Sequence, residues 1–287
     1  MRKLQVALNA TGYAVCHRTV SNLLKNTGYT LQSNRKELAL KESHPDRNEQ
    51  FQHINTQTKQ FMSEKEPVIS IDAKKKENIG NFKNNGAEYH RAKNPVKVLD
   101  HDFPLKEKGK ATPYGIYDIA ENKGFVNVGV SSDTAEFAAN SILKWWEIVG
   151  QNTYPNATKL MITADSGGSN GYRVRLWKTQ LQELANQINL PVYVTHFPPG
   201  TSKWNKVEHR LFSYISINWR GKPLDELDTV VNFIASTTTS AGLSVTCTVD
   251  LNFYQKAILV PDEVLNSLNI TPHDWHGEWN YCVFPNL

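Results

Sequence analysis

The sequence predicts a mixed α/β fold: a five-stranded sheet with helices on both faces, preceded by a small helical segment. Three observations lead there. Apolar runs of strand length recur at 67–72, 114–119, 124–130, 159–164 and 191–197. The second and third flank Glu121-Asn-Lys-Gly124, a turn by its chemistry, so they form a hairpin. From there helices with a period near 3.6 alternate with strands, which places helices against both sheet faces.

Taken in order, residues 1–32 read as two short helices separated by Thr11-Gly-Tyr13 and stopped at Asn26-Thr-Gly28. With Arg18, Thr19, Ser21 and Asn22 exposed, this is the layout of a helix-turn-helix element, or equally of a plain helical hairpin. The pattern is already helical at Met1-Arg-Lys-Leu4, with no cap before it, so a longer parent chain is expected. Residues 33–66 form a polar connector, helical from about Pro45 to Ser63.

The strand at 67–72 ends on Asp72. An excursion over 73–113 follows with no convincing core pattern, carrying ten Lys/Arg against five acids. A long irregular insertion of this kind is usually functional or mobile. After the hairpin, Asp133-Thr134 caps a helix reaching about Val149. The strand at 159–164 leads into Asp165 and the loop Ser166-Gly-Gly-Ser-Asn-Gly171, and a helix spans about 173–188. The last of the five strands runs into Phe197-Pro-Pro-Gly-Thr-Ser202 and a helix bearing Asn205, Glu208 and Phe212 on one face. Residues 222–287 are less legible. They hold a helical stretch at Asp225–Ile234, a strand-like Ser244–Val249, and an aromatic tail, Thr271–Tyr281, expected to pack back on the body.

Bulk properties bound the function without choosing it. The chain of 287 residues has 39% hydrophobic and 21% charged residues, ordinary for a soluble protein with a substantial core. A net charge of +4 permits a nucleic-acid partner and does not demand one. Cys16, Cys247 and Cys282 are far apart, which argues against a disulfide framework or a zinc ribbon. No apolar run approaches ~18 residues and no signal-peptide core opens the chain, so the cytoplasm is the simplest compartment.

The chemistry concentrates in three carboxylates. Asp72 and Asp165 each close a strand, and if those strands are neighbours both side chains emerge at the sheet edge where ligands bind in open α/β folds. Glu208 arrives on the later helix. Three carboxylates without sulfur ligands suit Mg²⁺ or Mn²⁺, and two such ions about 4 Å apart would serve phosphodiester chemistry. Each residue alone also has a plain reading: an Asp at a strand end caps or turns, Asp165 could open a phosphate loop (though no Gly-Lys-Ser/Thr follows), and Glu208 could pair with Lys203 or Arg210.

Five strings carry a resemblance: His44-Pro-Asp-Arg-Asn-Glu-Gln-Phe51, Ile71-Asp-Ala-Lys-Lys-Lys-Glu77, Ala164-Asp-Ser-Gly-Gly-Ser-Asn170, Phe197-Pro-Pro-Gly-Thr-Ser-Lys-Trp-Asn-Lys-Val-Glu-His209 and Asn218-Trp-Arg-Gly-Lys-Pro-Leu224. Together they resemble the DDE transposases of the Rhodopirellula type, in the ISAzo group of bacterial insertion sequences, whose catalytic core is RNase H-like. The resemblance implies a core over 67–221 with the basic insertion 73–113, a C-terminal extension at 222–287, and a DNA-binding remnant at 1–32. It implies Asp72, Asp165 and Glu208 as the acidic triad holding two Mg²⁺ or Mn²⁺ ions. The implied reaction is hydrolysis at a transposon end followed by attack of the freed 3′ hydroxyl on target DNA, by a homo-oligomer assembled on DNA.

Asn205, one turn before Glu208, is placed to hold the glutamate or touch a metal-bound water. His209 points about 100° away and could assist proton transfer or contact phosphate. Lys74, Lys75, Lys76, Lys83, Arg91 and Lys93 of the insertion, with Lys203 and Arg18, are the DNA-contact candidates. The plain alternative for the insertion is a solvated loop. Trp145 and Trp146 are expected in the core, and Trp204 either packs or wedges against DNA. Two other functions stay open: an RNase H-like nuclease that cuts without joining, and a DNA-binding transposase remnant without catalysis.

Overall fold

The computed structural model describes residues 2–32 and 44–286. Met1, Leu287 and the first part of the expected connector, 33–43, lie outside the described residues. The chain divides into two compact units, Met1–Glu42 and Ser43–Leu287.

In the first unit, α1 (Arg2–Ala10) and α2 (His17–Asn26) are joined through Thr11, Gly12 and Tyr13. Gly12 takes φ +95°, a left-handed turn that ends α1. Cys16 caps α2, its thiol accepting from the Thr19 amide at 3.5 Å. Val20 is the buried residue of the pair, and Arg18 is exposed.

The second unit opens with α3 (Arg47–Ser63), whose Ile54 and Phe61 are buried. Then come β1 (Val68–Ala73), the short β2 (Glu77–Asn78), β3 (Lys110–Asp118) and β4 (Lys123–Gly129). α4 (Ala135–Trp145) is capped by the Thr134 hydroxyl at 3.2 Å from the Phe137 amide, and passes through a π-turn at Trp146–Gly150 into α5 (Gln151–Thr153). β5 (Leu160–Ala164), α6 (Arg175–Ile188) and β6 (Val192–His196) follow. A 3₁₀ turn at Ser202–Trp204 and a π-turn at Glu208–Phe212 lead into α7 (Ser213–Asn218). α8 (Leu227–Ala235), β7 (Ser244–Asp250), α9 (Asp262–Asn266), β8 (Ile270–Pro272) and β9 (Asn280–Val283) complete the chain.

All five expected strands are present and lie in the spatial order β4-β3-β1-β5-β6. β3 runs antiparallel to both β1 and β4, while β1, β5 and β6 are parallel. The sheet continues further than the sequence suggested, to nine strands. β7 adds parallel to β4 on one side, β9 and β8 add beyond β6, and β2 pairs with β3. The C-terminal region therefore supplies both outer edges, and the aromatic tail does pack back, as β9.

Helices cover both faces. On one, Phe137, Ile142, Trp145, Trp177, Leu181 and Ala185 of α4 and α6 pack on Ile69, Ile71, Ile116 and Ile162. On the other, Val207, Leu211, Phe212 and Ile215 join Val230 and Ile234 of α8 over Tyr117, Val126 and Val128. At ~25 cal/mol per Å² of apolar surface removed from water, these two layers are the main stabilising term. The 73–113 excursion is better anchored than its sequence indicates. Ile79, Phe82 and Ala111 are buried, and Asn84 donates to the Trp219 and Lys222 carbonyls at 3.0 and 3.2 Å. The anchors are spaced too irregularly to register as a core pattern.

Candidate active site

The strand register brings the two aspartates together. Ile71 of β1 stands beside Ala164 of β5 in parallel pairing, so the next residues, Asp72 and Asp165, leave adjacent strands at the same C-terminal edge. The electrostatics record their proximity. Asp72 is pushed up to about 8 by burial first and by the Asp165 charge next, with Glu208 adding to both. One bond works the other way, the Ala73 amide donating to the Asp72 carboxylate at 2.8 Å. Asp165 is pushed up to about 6, by burial and then by Glu208, against the Asn205 amide, which favours its ionised form. Asp165 Oδ1 is buried with no hydrogen-bond partner.

Glu208 is brought to this edge by close packing of its helix on the sheet. Gly115 of β3 stands opposite Asp72, and a Cβ there would run into the Phe212 ring. Gly124 of β4 does the same for Leu211, whose Cδ1 lies 2.5 Å from where a Cβ would sit. Two bare strand positions thus let the helix down onto the sheet. The π-turn at Glu208–Phe212 widens the helix at the glutamate, a distortion frequent at functional sites.

Asn205 differs from expectation in one respect: it precedes the helix, with extended backbone (ψ 128°), instead of sharing its face. It is fully buried, and its amide donates to the Ile71 carbonyl at 2.9 Å. Ser70 contacts the Asn205 side-chain oxygen and accepts from the Val207 amide at 3.0 Å. This ties the start of the glutamate segment to β1, one and two residues before Asp72. The Glu208 amide in turn bonds the Asn205 carbonyl at 3.2 Å.

His209 is exposed and donates through Nε2 to the Lys203 carbonyl. An open groove of about 530 Å³ lies beside Glu208, lined by Lys74, Lys75, Lys203, His209 and Phe212 among others. Lys75 also lines a neighbouring hollow with Lys76 and Lys83. Lys74 is engaged within the protein, 2.8 Å from Glu77 and 4.6 Å from the centre of the Trp219 ring. Arg91 and Lys93 are exposed on the excursion and are not among the residues lining these two hollows. Trp145 is buried and Trp146 packs on the core, whereas Trp204 is 49% exposed with its ring edge toward Phe51.

Three residues that sequence reasoning passed over support the site. His196, at the end of β6, is fully buried, and burial lowers it to about 4, so it is neutral. Its Nδ1–H donates to the Asp165 carbonyl at 2.9 Å and its Nε2 accepts from the Tyr281 hydroxyl at 3.1 Å, which fixes the tautomer. Ser70 is the second. Tyr114, beside Ala73, is the third: its buried hydroxyl has no partner and is held protonated by burial and by Asp72 and Asp133. None carries a sequence signal beyond lying on a strand.

The strand order and the helices on both faces define an RNase H-like α/β domain. The chain belongs to the Rhodopirellula transposase DDE domain family, whose model matches residues 1–285. Among solved structures, the fold is similar to that titled as the mariner Mos1 paired end complex with Mg, at a TM-score of 0.50 and 13% identity, over 81% of this chain and 64% of that one. A Mos1 transposase paired-end complex with left transposon end matches at 0.48 and 13% identity, over 81% and 69%. No curated protein matches the sequence. Among the described residues, no helix is long and apolar enough to cross a membrane.

Proposed function

We propose that this chain is an insertion-sequence transposase in which Asp72, Asp165 and Glu208 carry metal-dependent hydrolysis and strand transfer of DNA phosphodiesters at transposon ends. The observation that carries the reading is the pairing of Asp72 with Asp165 at one sheet edge, each raised by burial and by neighbouring carboxylate charge. Like charges brought together in a half-buried site are unfavourable unless a cation compensates them. The residues fit that cation: the donors are all carboxylate oxygens, as Mg²⁺ or Mn²⁺ prefers, and Asp165 Oδ1 is buried without a partner. Asp72, Asp165 and Glu208 would hold the ions, two by family resemblance. When bound, they would stabilise charge on the attacking and leaving oxygens of an in-line displacement.

The rest is the work of the chain. Asn205 and Ser70 hold the glutamate segment against β1, and His196 fixes the Asp165 backbone. Lys75, Lys76, Lys83 and Lys203 neutralise DNA phosphates along the groove without reading sequence. Lys74, paired with Glu77, orders the start of this track, while Arg91 and Lys93 contact DNA from the excursion and Arg18 contacts DNA from the N-terminal helical segment. His209 approaches phosphate beside Glu208. Residues 67–221 form the catalytic core, 222–287 its extension, 33–66 the connector and 1–32 a helix-turn-helix-like remnant. The active form is a homo-oligomer on transposon-end and target DNA in the cytoplasm.

The test is strand transfer of a pre-cleaved transposon-end oligonucleotide into plasmid, with Mg²⁺ or Mn²⁺. Joined product from the wild type, absent from Asp165→Asn and Glu208→Gln, is expected. Cutting without joining would replace the reading with a nuclease. DNA binding alone, unaffected by both substitutions, would replace it with a non-catalytic remnant.

A further inference from the structure

A second group of metal-ligating side chains lies outside the carboxylate site. Among the described residues, His44, Asp46 and His276 are the one set of three His, Cys or carboxylate groups whose ligand atoms all fall within 4.8 Å of one another. His276 Nε2 is 3.0 Å and His44 Nδ1 3.9 Å from Asp46 Oδ2. Ligand atoms held about 2.0–2.1 Å from a tetrahedral ion stand about 3.3 Å apart, so these spacings bracket the requirement.

Four features around the cluster are hard to explain by packing alone. Asp46 occupies the N-cap position of α3 yet makes no side-chain cap hydrogen bond, its carboxylate turning to the histidines instead. His276 sits at φ +46°, a left-handed conformation uncommon for a residue with a side chain. Its Nδ1 lies 2.7 Å from Glu278 Oε1 and its Nε2 donates to Asp46 Oδ2 at 3.0 Å, so the ring is held between two carboxylates and a metal ion at Nε2 would take the place of the proton shared with Asp46. A carboxylate behind the imidazole in this way orients a metal-bound histidine. The rings are enclosed by aromatics, with Trp279 stacked on His276 at 4.3 Å and edge-on to His44 at 4.7 Å.

We propose that His44, Asp46 and His276 bind one Zn²⁺ ion, with Glu278 orienting His276, and that this ion clamps the C-terminal turn onto the start of α3. Two imidazoles and one carboxylate form a borderline donor set that suits zinc and disfavours Mg²⁺, which separates this site from the all-oxygen one. His44 and Asp46 are 36% and 41% exposed, leaving a route for the ion and a fourth position for solvent. The Asp46 amide now donates to His44 Nδ1 at 3.3 Å, a long bond that coordination replaces.

The clamp stands over a hydrogen-bonded wall. Gln50 of α3, fully buried, bonds Asn280 at 2.8 Å, the Trp275 indole at 2.9 Å and the His196 carbonyl at 3.0 Å. His196 in turn holds Asp165, so the ion would stiffen the support behind that aspartate. The inference needs no step of the proposed reaction, and its failure would leave that reading unchanged.

The test is calorimetric titration of the untagged, chelator-stripped full chain with Zn²⁺ alone, in an Asp72→Asn/Asp165→Asn/Glu208→Gln background that removes the other site. One equivalent binding at micromolar affinity or tighter is expected, undisturbed by millimolar Mg²⁺. His44→Ala and His276→Ala should each weaken it by about 100-fold, and Glu278→Gln by about tenfold. His44 is partly exposed, so its substitution keeps the test decisive if His276→Ala fails to fold. No zinc binding below 100 µM by a background protein that melts as a folded chain would overturn the proposal, as would affinity unchanged in His44→Ala.

Discussion

Three acids at strand ends, Asp250 against Asp72 and Asp165, differ in whether the protein answers their charge. Asp250 closes β7 and is buried, but the protein answers it from every side. Asn127 and Asn140 donate at 3.1 and 2.9 Å, the Tyr254 hydroxyl at 2.8 Å and the Asn252 amide at 3.0 Å, while Lys144 pairs at 3.0 Å. These bonds outweigh burial, and the pKa falls below its ordinary value. Asp72 and Asp165 are half-buried, yet they face each other and Glu208, and their pKa values rise. A fold that surrounds Asp250 with five partners has given the other pair no cationic one among the described residues, and that is the role assigned above to the proposed metal.

Substitution should separate the two sets. Asp165→Asn is expected to reduce strand transfer by at least about 10³-fold, on the scale of removing one preorganised charge-stabilising group. Its melting temperature without metal should not fall. Asp250→Ala should do the reverse. Removing one member of a buried, fully paired network costs about 3 kcal/mol, read as a lower denaturant midpoint with unchanged slope. Joining per folded molecule should persist. A catalytic collapse in Asp250→Ala at full stability would dissolve the distinction.

The acid pair itself was legible because strand ends are legible: Val68–Ile71 and Leu160–Ala164 are apolar runs, and each is followed by Asp. What the sequence withheld was adjacency. Parallel pairing of β1 with β5 joins residues some ninety positions apart, and no local propensity encodes it. Of the outer strands, β7 is legible as the strand-like Ser244–Val249, but its pairing with β4, over a hundred positions away, is not. β8 and β9 are three and four residues long, too short for a period-2 pattern to register. Asn205 was placed on a helix because its spacing from Glu208 fits one, but the segment instead turns through a 3₁₀ and an extended residue before the helix starts. Gly115 and Gly124 lie inside strands, and the reason for them, the close approach of Phe212 and Leu211, is visible only in the fold.

A second contrast is in the sign of the pH response. The folded state holds the Asp72 proton more tightly than the unfolded chain does, with a pKa of about 8 against 3.8. Between about pH 4 and about pH 8 the native state therefore carries more protons, and metal-free stability declines as pH rises through this window. Asp72→Asn removes that decline. At pH 8 the metal-free variant should be more stable than wild type, on the order of 2 kcal/mol after allowance for coupling to Asp165, and the gap should close toward pH 4. Adding Mg²⁺ should stabilise the wild type and not the variant. A variant equal to or less stable than wild type at pH 8 would mean the two acids are already compensated within the protein, as Asp250 is.

The smallest effect concerns the lysines, where Lys74 and Lys75 offer the same comparison on the surface. Lys74 is 11% exposed and answered by Glu77 and Trp219, whereas Lys75 is exposed and lines the groove beside Glu208. An ammonium already paired in the protein releases no DNA counterion, but a free one does. Lys75→Ala should lower the slope of log K against log salt by about one and weaken binding to all DNA sequences alike. Lys74→Ala should leave that slope unchanged and show instead as a small loss of stability, because an ion pair and a cation–π contact are broken. If the two slopes change equally, the Glu77 pair opens when DNA arrives, and both lysines belong to the track.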